Sequence, residues 1–140
     1  MGAIFQKTIP NDMDALADLI EEVDRFLAGS DLPPRAVYAV NLALEEILTN
    51  TIKYGYNDDA EHQIQVTIQV DGDQAVLTCV DDGRHFDPLQ APEPDLDSPL
   101  EERKVGGVGL HLTTAMMDAI EYTRQDGKNV LVMRVGGKGS

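Results

Sequence analysis

Two stretches of the chain leave little freedom about its architecture. "QIQVTIQV" (63–70) and "DQAVLTCV" (73–80) alternate apolar and polar residues around Asp71-Gly72, and "IEYTRQ" (120–125) and "VLVMRV" (130–135) flank "DGKN". Alternation at period two marks a strand with one face in a core. An Asp-Gly step between two such runs is the strongest short-range hairpin signal. The chain is therefore committed to two antiparallel hairpins, and "IFQKTI" (4–9) alternates in the same way and suits a short edge strand.

The segments between these strands are helical. After "IFQKTI", Asn11 or Asp12 can cap a helix that Gly29 can end, with Met13, Leu16, Ile20, Val23 and Leu27 at helical spacing. "LPPR" then breaks the chain, and Pro33 or Pro34 suits the first turn of a second helix running to about Tyr54. "GYNDDAEH" (55–62) is a loop. Residues 88–106 hold four prolines and a run of acids with little to bury, and long loops in compact domains are usually functional or disordered. "GGVGLHLTTAMMDAI" (106–120) opens a third helix behind glycines, and "GGKGS" (136–140) is a frayed tail. The order β-α-α-β-β-loop-α-β-β predicts an α+β, two-layer sandwich: a mixed, mainly antiparallel sheet with helices on one face. At 140 residues, the chain reads as one domain spanning 1–140.

Composition narrows the function classes. Eleven Lys and Arg against 25 Asp and Glu give a net charge of −14, which repels nucleic-acid backbones and suits a basic protein partner. There is no Trp and aromatics make up 5%, so stacking on single-stranded nucleic acid is not expected. Cys79 is the only cysteine, so neither an internal disulfide nor a zinc cysteine pair can form. With no apolar run of membrane-spanning length and no signal peptide visible, a cytoplasmic protein without membrane contact is the expectation. His62, His85 and His111 form no ligand spacing, and Met116 and Met117 read as core or interface filler.

Chemistry concentrates in three blocks. In the second helix, Val37, Val40, Leu44, Leu48 and Thr51 form an apolar stripe, while Glu46 and Asn50 lie roughly 40° apart on the wheel at about 100° per residue. Lys53 falls close to both. Alone, this trio is what any salt-bridged solvent face carries. Asp81, however, closes a strand whose same-face neighbours are Leu77 and Cys79, and a carboxylate there can accept from the exocyclic amine of a bound base. Gly83, two residues on, would let a flat ring approach the backbone, although "DDG" is also turn chemistry. "GGVGL" before the third helix exposes backbone N–H groups that suit phosphate. It is neither a Walker A loop nor a dinucleotide-binding fingerprint.

Taken together, "EEILTN", "DDGRHFDP" and "GGVGLHLTTAMMDAIEY" resemble the Glu-x-x-x-Asn helix, the Asp-x-Gly box and the Gly-x-Gly box of the GHKL superfamily of ATP-binding domains, over about residues 5–135. "FDP" after the second box and the following "DGKNVLVMR" are most similar to the bacterial anti-sigma regulatory factors, the serine-protein kinases of partner-switching systems. His85 stands where the wider superfamily often has a second glycine, a trait shared with that subgroup. The resemblance implies the histidine-kinase-like (Bergerat) form of the sandwich. Its cofactors would be ATP and Mg²⁺, with Asn50 the magnesium ligand and Glu46 the general base. Asp81 would read the adenine amine, Gly83 would make room for the ring, and Phe86 would belong to the same ATP site. Lys53, Lys104 and the Gly107, Val108, Gly109, Leu110 run would meet the phosphates, and 88–106 would be a lid over ATP. The implied partners are a sigma factor, a STAS-domain antagonist that is phosphorylated on Ser or Thr, and a second copy of the chain. The first helix and N-terminal strand are candidates for that homodimer contact. A non-catalytic ATP-binding module that sequesters another regulator is the alternative. A phosphorelay histidine kinase is disfavoured by the lack of a dimerisation helix pair carrying a phospho-accepting histidine, and a gyrase-like ATPase by the lack of a transducer domain.

Overall fold

The computed structural model describes residues 2–85 and 107–136, with the backbone alone at 107–111. The elements follow the expected order: β1 (Ala3–Pro10), α1 (Met13–Ala28), α2 (Pro34–Tyr54), β2 (Gln63–Asp71), β3 (Gln74–Asp81), α3 (Gly107–Met116), β4 (Ala119–Gln125) and β5 (Lys128–Gly136). The strands form one five-stranded sheet in the order β1-β2-β3-β5-β4. Every pairing among the described residues is antiparallel, so the sheet is not mixed. Alternation puts Ile64, Val66, Ile68 and Val70 of β2 and Ala75, Leu77 and Cys79 of β3 on one buried face, which the helices cover.

One local expectation shifts and another is met. The first hairpin loop is Gly72-Asp73 rather than Asp71-Gly72, because Asp71 still pairs with Gln74. Gly72 takes the positive φ of 63° that a tight loop requires at its first position. In the second hairpin, Asp126 and Gly127 both have positive φ, 53° and 78°, as type I′ turns demand.

Asp12 caps α1: its Oδ1 accepts from the Ala15 N–H at 2.7 Å. The buried stripe of α1 is Leu16, Leu19, Val23 and Leu27; Met13 is exposed and Ile20 only half-buried. These leucines and Val23 are consumed by the core, which removes them from the expected dimer contact. Ile4, on the edge strand, does stay 64% exposed. In α2 the face toward the core is Ala36, Ala39, Val40, Ala43, Leu44, Ile47 and Leu48, with Val37 and Thr51 only half-buried. Three alanines on that face let the helix sit close to its neighbours, and α2 touches α1, α3, β3 and β5. This central seat presents the C-terminal half of α2 to the end of β3 and to α3.

Candidate functional site

Glu46 and Asn50 are half-buried on successive turns of α2, and Lys53 is exposed on the last turn. Core residues border them: Ala43 is fully buried and Ile47 nearly so. No ion pair or hydrogen bond joins Glu46 to Lys53, so the trio is not a salt-bridged surface patch. Burial pushes the Glu46 carboxyl above its ordinary value, and neighbouring Glu45 adds to the rise. The side-chain Nδ2 of Asn50 is buried without a hydrogen-bond partner. Such an atom costs about 1–3 kcal/mol of desolvation unless something satisfies it.

Asp81 ends β3 on the helix-facing side and pairs across the sheet with Ile64 and Asn129. Its Oδ1 accepts from the Gly83 N–H at 2.9 Å and from Asn129 Nδ2 at 2.9 Å. Among the described residues no donor reaches Oδ2. Gly83 has a packing reason within the fold itself. A Cβ there would meet the carbonyl oxygen of Gly55 at 2.7 Å and Asp81 Oδ1 at 3.0 Å. The glycine thus lets the turn after β3 close against the end of α2, where the Arg84 N–H donates to Gly55 O at 2.8 Å.

The loop between α2 and β2 takes part in ways the sequence reading missed. Tyr56 stacks on the His62 ring at a centroid distance of 4.2 Å. His62 Nε2 lies 2.7 Å from Asp58 Oδ1, and Nδ1 lies 3.1 Å from Asp82 Oδ1. The Tyr56 hydroxyl is buried without a partner, and burial, then Asp81, then Asp82 push its pKa up. Asn129, Tyr122 and Arg124 were missed as well. The one available signal was an Asn directly after a hairpin turn, and turn chemistry explains that residue equally well.

Gly107, Val108, Gly109 and Leu110 form the first turn of α3, which packs against α2. Phe86, Lys104 and the 88–106 segment lie outside the described residues. The fold therefore sets the turn after Asp81 against Gly55 at the C-terminal end of α2, the helix that carries Glu46, Asn50 and Lys53, and packs α3 against the same helix. Among the described residues no group of three or more His, Cys, Asp or Glu could hold a metal ion alone. The donor set fits magnesium in the form that needs few protein oxygens: one amide, at Asn50, with phosphate oxygens completing the shell.

Comparison with known proteins gives the family and the fold. Residues 9–135 match the family described as the histidine kinase-like ATPase domain. The serine/threonine-protein kinase BtrW of Bordetella bronchiseptica is 30% identical over 99 residues, covering 71% of this chain and 70% of that protein. The anti-sigma F factor of Clostridium beijerinckii is 25% identical over 118 residues, 79% of this chain and 78% of that one. The serine-protein kinase RsbW of Oceanobacillus iheyensis is 26% identical, with 68% of this chain matched to 63% of its length. Among solved structures, the RsbU and RsbW domains of Rv1364c from Mycobacterium tuberculosis share the fold. That match has a TM-score of 0.67 at 15% identity, covering 96% of this chain and 32% of that one.

Proposed function

The chain belongs to the histidine kinase-like ATPase domain family, among the relatives of the anti-sigma serine-protein kinases, and from that membership we propose that it is an ATP-dependent protein-serine/threonine kinase and anti-sigma factor. The observation that carries the reading is that Asn50, one turn from the half-buried Glu46, spends neither end of its amide on the described residues: its buried Nδ2 lacks an acceptor and its Oδ1, the atom that would meet a cation, takes no hydrogen bond from them. A helix serving only the core has no use for that pair.

Each residue then has a task. Asp81 accepts from the adenine amine through its free Oδ2. The N–H groups opening α3, from Gly107 to Leu110, point at phosphate oxygens, with Lys53 and Lys104 supplying positive charge and Phe86 meeting the base. Magnesium, when bound, would neutralise phosphate charge, with Asn50 as its protein ligand. Glu46 accepts the proton of a partner's serine or threonine hydroxyl. The hydroxyl oxygen bonds the γ-phosphorus as ADP leaves with the electron pair of the broken P–O bond. A carboxyl raised by burial is suited to this, because a base works best with a pKa nearer the working pH. Positioning and charge stabilisation supply most of the rate in such transfers.

The proposed partners are a basic region of a sigma factor and a STAS-type antagonist, which phosphate would exclude by charge and bulk. The net charge of −14 supports the first. A cytoplasmic homodimer completes the reading; no described helix is long and apolar enough to cross a membrane. Sedimentation equilibrium giving a monomer at all concentrations would remove the dimer. Radiolabel transfer from ATP to the cognate antagonist tests the chemistry. Glu46→Ala should lose at least about a hundredfold in transfer, the lower end for general-base removal, while calorimetry still detects Mg-ATP binding. Full transfer by that variant rules Glu46 out as the base. A partner retained in ATP but never phosphorylated favours the non-catalytic alternative.

A further inference from the structure

We propose that Asn129 is a positioning residue for base recognition: it fixes the Asp81 carboxylate so that one oxygen serves the fold and the other stays free for the exocyclic amine of adenine. This rests on the reading of Asp81 given above. The residues Ile64, Asp81, Asn129 and Arg124 form one cross-strand row on the helix-facing side of β2, β3, β5 and β4. Ile64 is core, whereas the other three are polar. Asn129 is only 7% exposed, and its side-chain amide is fully used. Nδ2 donates to Asp81 Oδ1 and to Arg84 O, both at 2.9 Å. Oδ1 accepts from the Tyr122 hydroxyl at 2.5 Å and from an Arg124 Nη1–H at 3.0 Å.

These partners set the direction of the amide. A guanidinium can only donate and a backbone carbonyl can only accept, so a flipped amide would oppose like groups on both sides. Satisfied buried networks of this kind are rigid. The effect on Asp81 is to divide its carboxylate. Oδ1 receives two donors, Gly83 N–H and Asn129 Nδ2, and Oδ2 receives none from the described residues. Arg124 also donates to Gly83 O at 2.7 Å, so the β4–β5 hairpin holds the carbonyl of the Asp-x-Gly turn directly and its N–H through Asp81 Oδ1, which Asn129 fixes. A carboxylate oxygen held in one place favours a base that presents an amine and repels one that presents a carbonyl. If the amide is lost, the carboxylate can turn, and that selection weakens.

Calorimetry with Mg-ATP and Mg-ITP separates the possibilities, because inosine carries a carbonyl where adenine carries the amine. The native chain should prefer Mg-ATP. Asn129→Ala should lose at least about tenfold in Mg-ATP affinity with Mg-ITP changed much less, since hydrogen bonds to charged groups are worth that factor or more. Asn129→Asp keeps the acceptor for Tyr122 and Arg124 but sets a second carboxylate against Asp81, so its ATP/ITP ratio should fall at least as far. Arg124→Gln, at an exposed position, carries the test even if the Asn129 variants do not fold, and should lower the same ratio by a smaller factor. An unchanged ratio in folded variants overturns the inference, and so does an equal loss for both nucleotides, which is what a merely structural role produces. A native chain that binds both equally instead overturns the reading of Asp81.

Discussion

At the scale of single residues, the site turns on atoms whose environment is unlike their type. Gly83 is a case where a missing carbon decides the packing. Its φ is not positive, so conformational freedom is not the reason for it. The obstacle to a side chain is the Gly55 carbonyl 2.7 Å from an added Cβ, and backbone cannot swing aside as a side-chain tip can. Gly83→Ala should therefore destabilise by about 1–3 kcal/mol, the range for overpacking, lowering Tm by roughly 3–10 °C. Gly72→Asn is the control, because its φ of 63° is tolerated by Asn and nothing lies within 4 Å of an added Cβ. A thermal melt of Gly83→Ala within a degree of the native chain would show that the seam between α2 and β3 can yield. That Glu46 and Asn50 share one side of α2, and that Asp81 lies on the helix-facing side of β3, was legible in helical spacing and strand alternation; the roles given to them came only from the family resemblance. The packing reason for Gly83 was not legible, since it depends on a carbonyl 28 positions earlier in the chain. Asn129 was hidden by its place beside a turn.

At the scale of elements, lengths and order followed from periodicity, but buried faces did so less well. In α2 the expected stripe passed over Ala36, Ala39 and Ala43, because alanine carries little hydrophobic weight even where its smallness is what the packing needs. The loop after α2 was read as plain connection, yet it is pinned at several points. The Asn11 N–H donates to His62 O at 3.0 Å and the His62 N–H donates to Asn11 Oδ1 at 2.9 Å, and His62 bridges Asp58 and Asp82 while stacking on Tyr56. Both ring nitrogens face carboxylates, so both bonds need the imidazolium. The hydrogen bond to Asp58, then that to Asp82, raises the His62 pKa against a smaller opposing effect of desolvation. The same bond lowers that of Asp58. A raised histidine pKa means that the folded chain holds the proton more tightly than the unfolded one. The contribution is complete below the unfolded value, about 6.5, and disappears as pH climbs through the raised folded value. The Asp58 part is present above its unfolded value and disappears as pH falls through its lowered one. The clasp is thus strongest at mildly acidic pH. Urea denaturation across pH should find His62→Gln losing most stability there and converging with the native chain at alkaline pH. Parallel stability curves would exclude the clasp.

At the scale of the whole molecule, the hairpins made the antiparallel sheet legible but not its strand order. Alternation alone does not say that β5 rather than β4 joins β3; the difference lies in the inward faces, Leu131, Met133 and Val135 on β5 against Ile120, Tyr122 and Arg124 on β4, and α2 packs over the more apolar one. That order encloses β3, and with it Cys79, which pairs with Val66 on one side and Leu131 on the other and is 2% exposed. Burial first, and the charge of Asp81 second, push the thiol up to about 12. Since only the thiolate is nucleophilic, native Cys79 should resist alkylation at neutral pH. It is the only cysteine, so its labelling reads the opening of the sheet without a second signal. Detaching a strand bonded on both sides and packed under α2 requires the sheet as a whole to open, so the labelling rate should rise with urea along the global unfolding slope. A ligand that binds only the folded chain shifts that equilibrium by mass action. Mg-ATP at a hundred times its Kd should therefore slow labelling about a hundredfold, equivalent to about 2.7 kcal/mol. Fast labelling indifferent to urea would mean that β3 opens locally and that the enclosure does not hold. Slow, urea-sensitive labelling that ignores Mg-ATP would leave the fold intact and remove nucleotide binding, because a ligand engaging Asp81 two residues from Cys79 must stabilise the sheet that holds both.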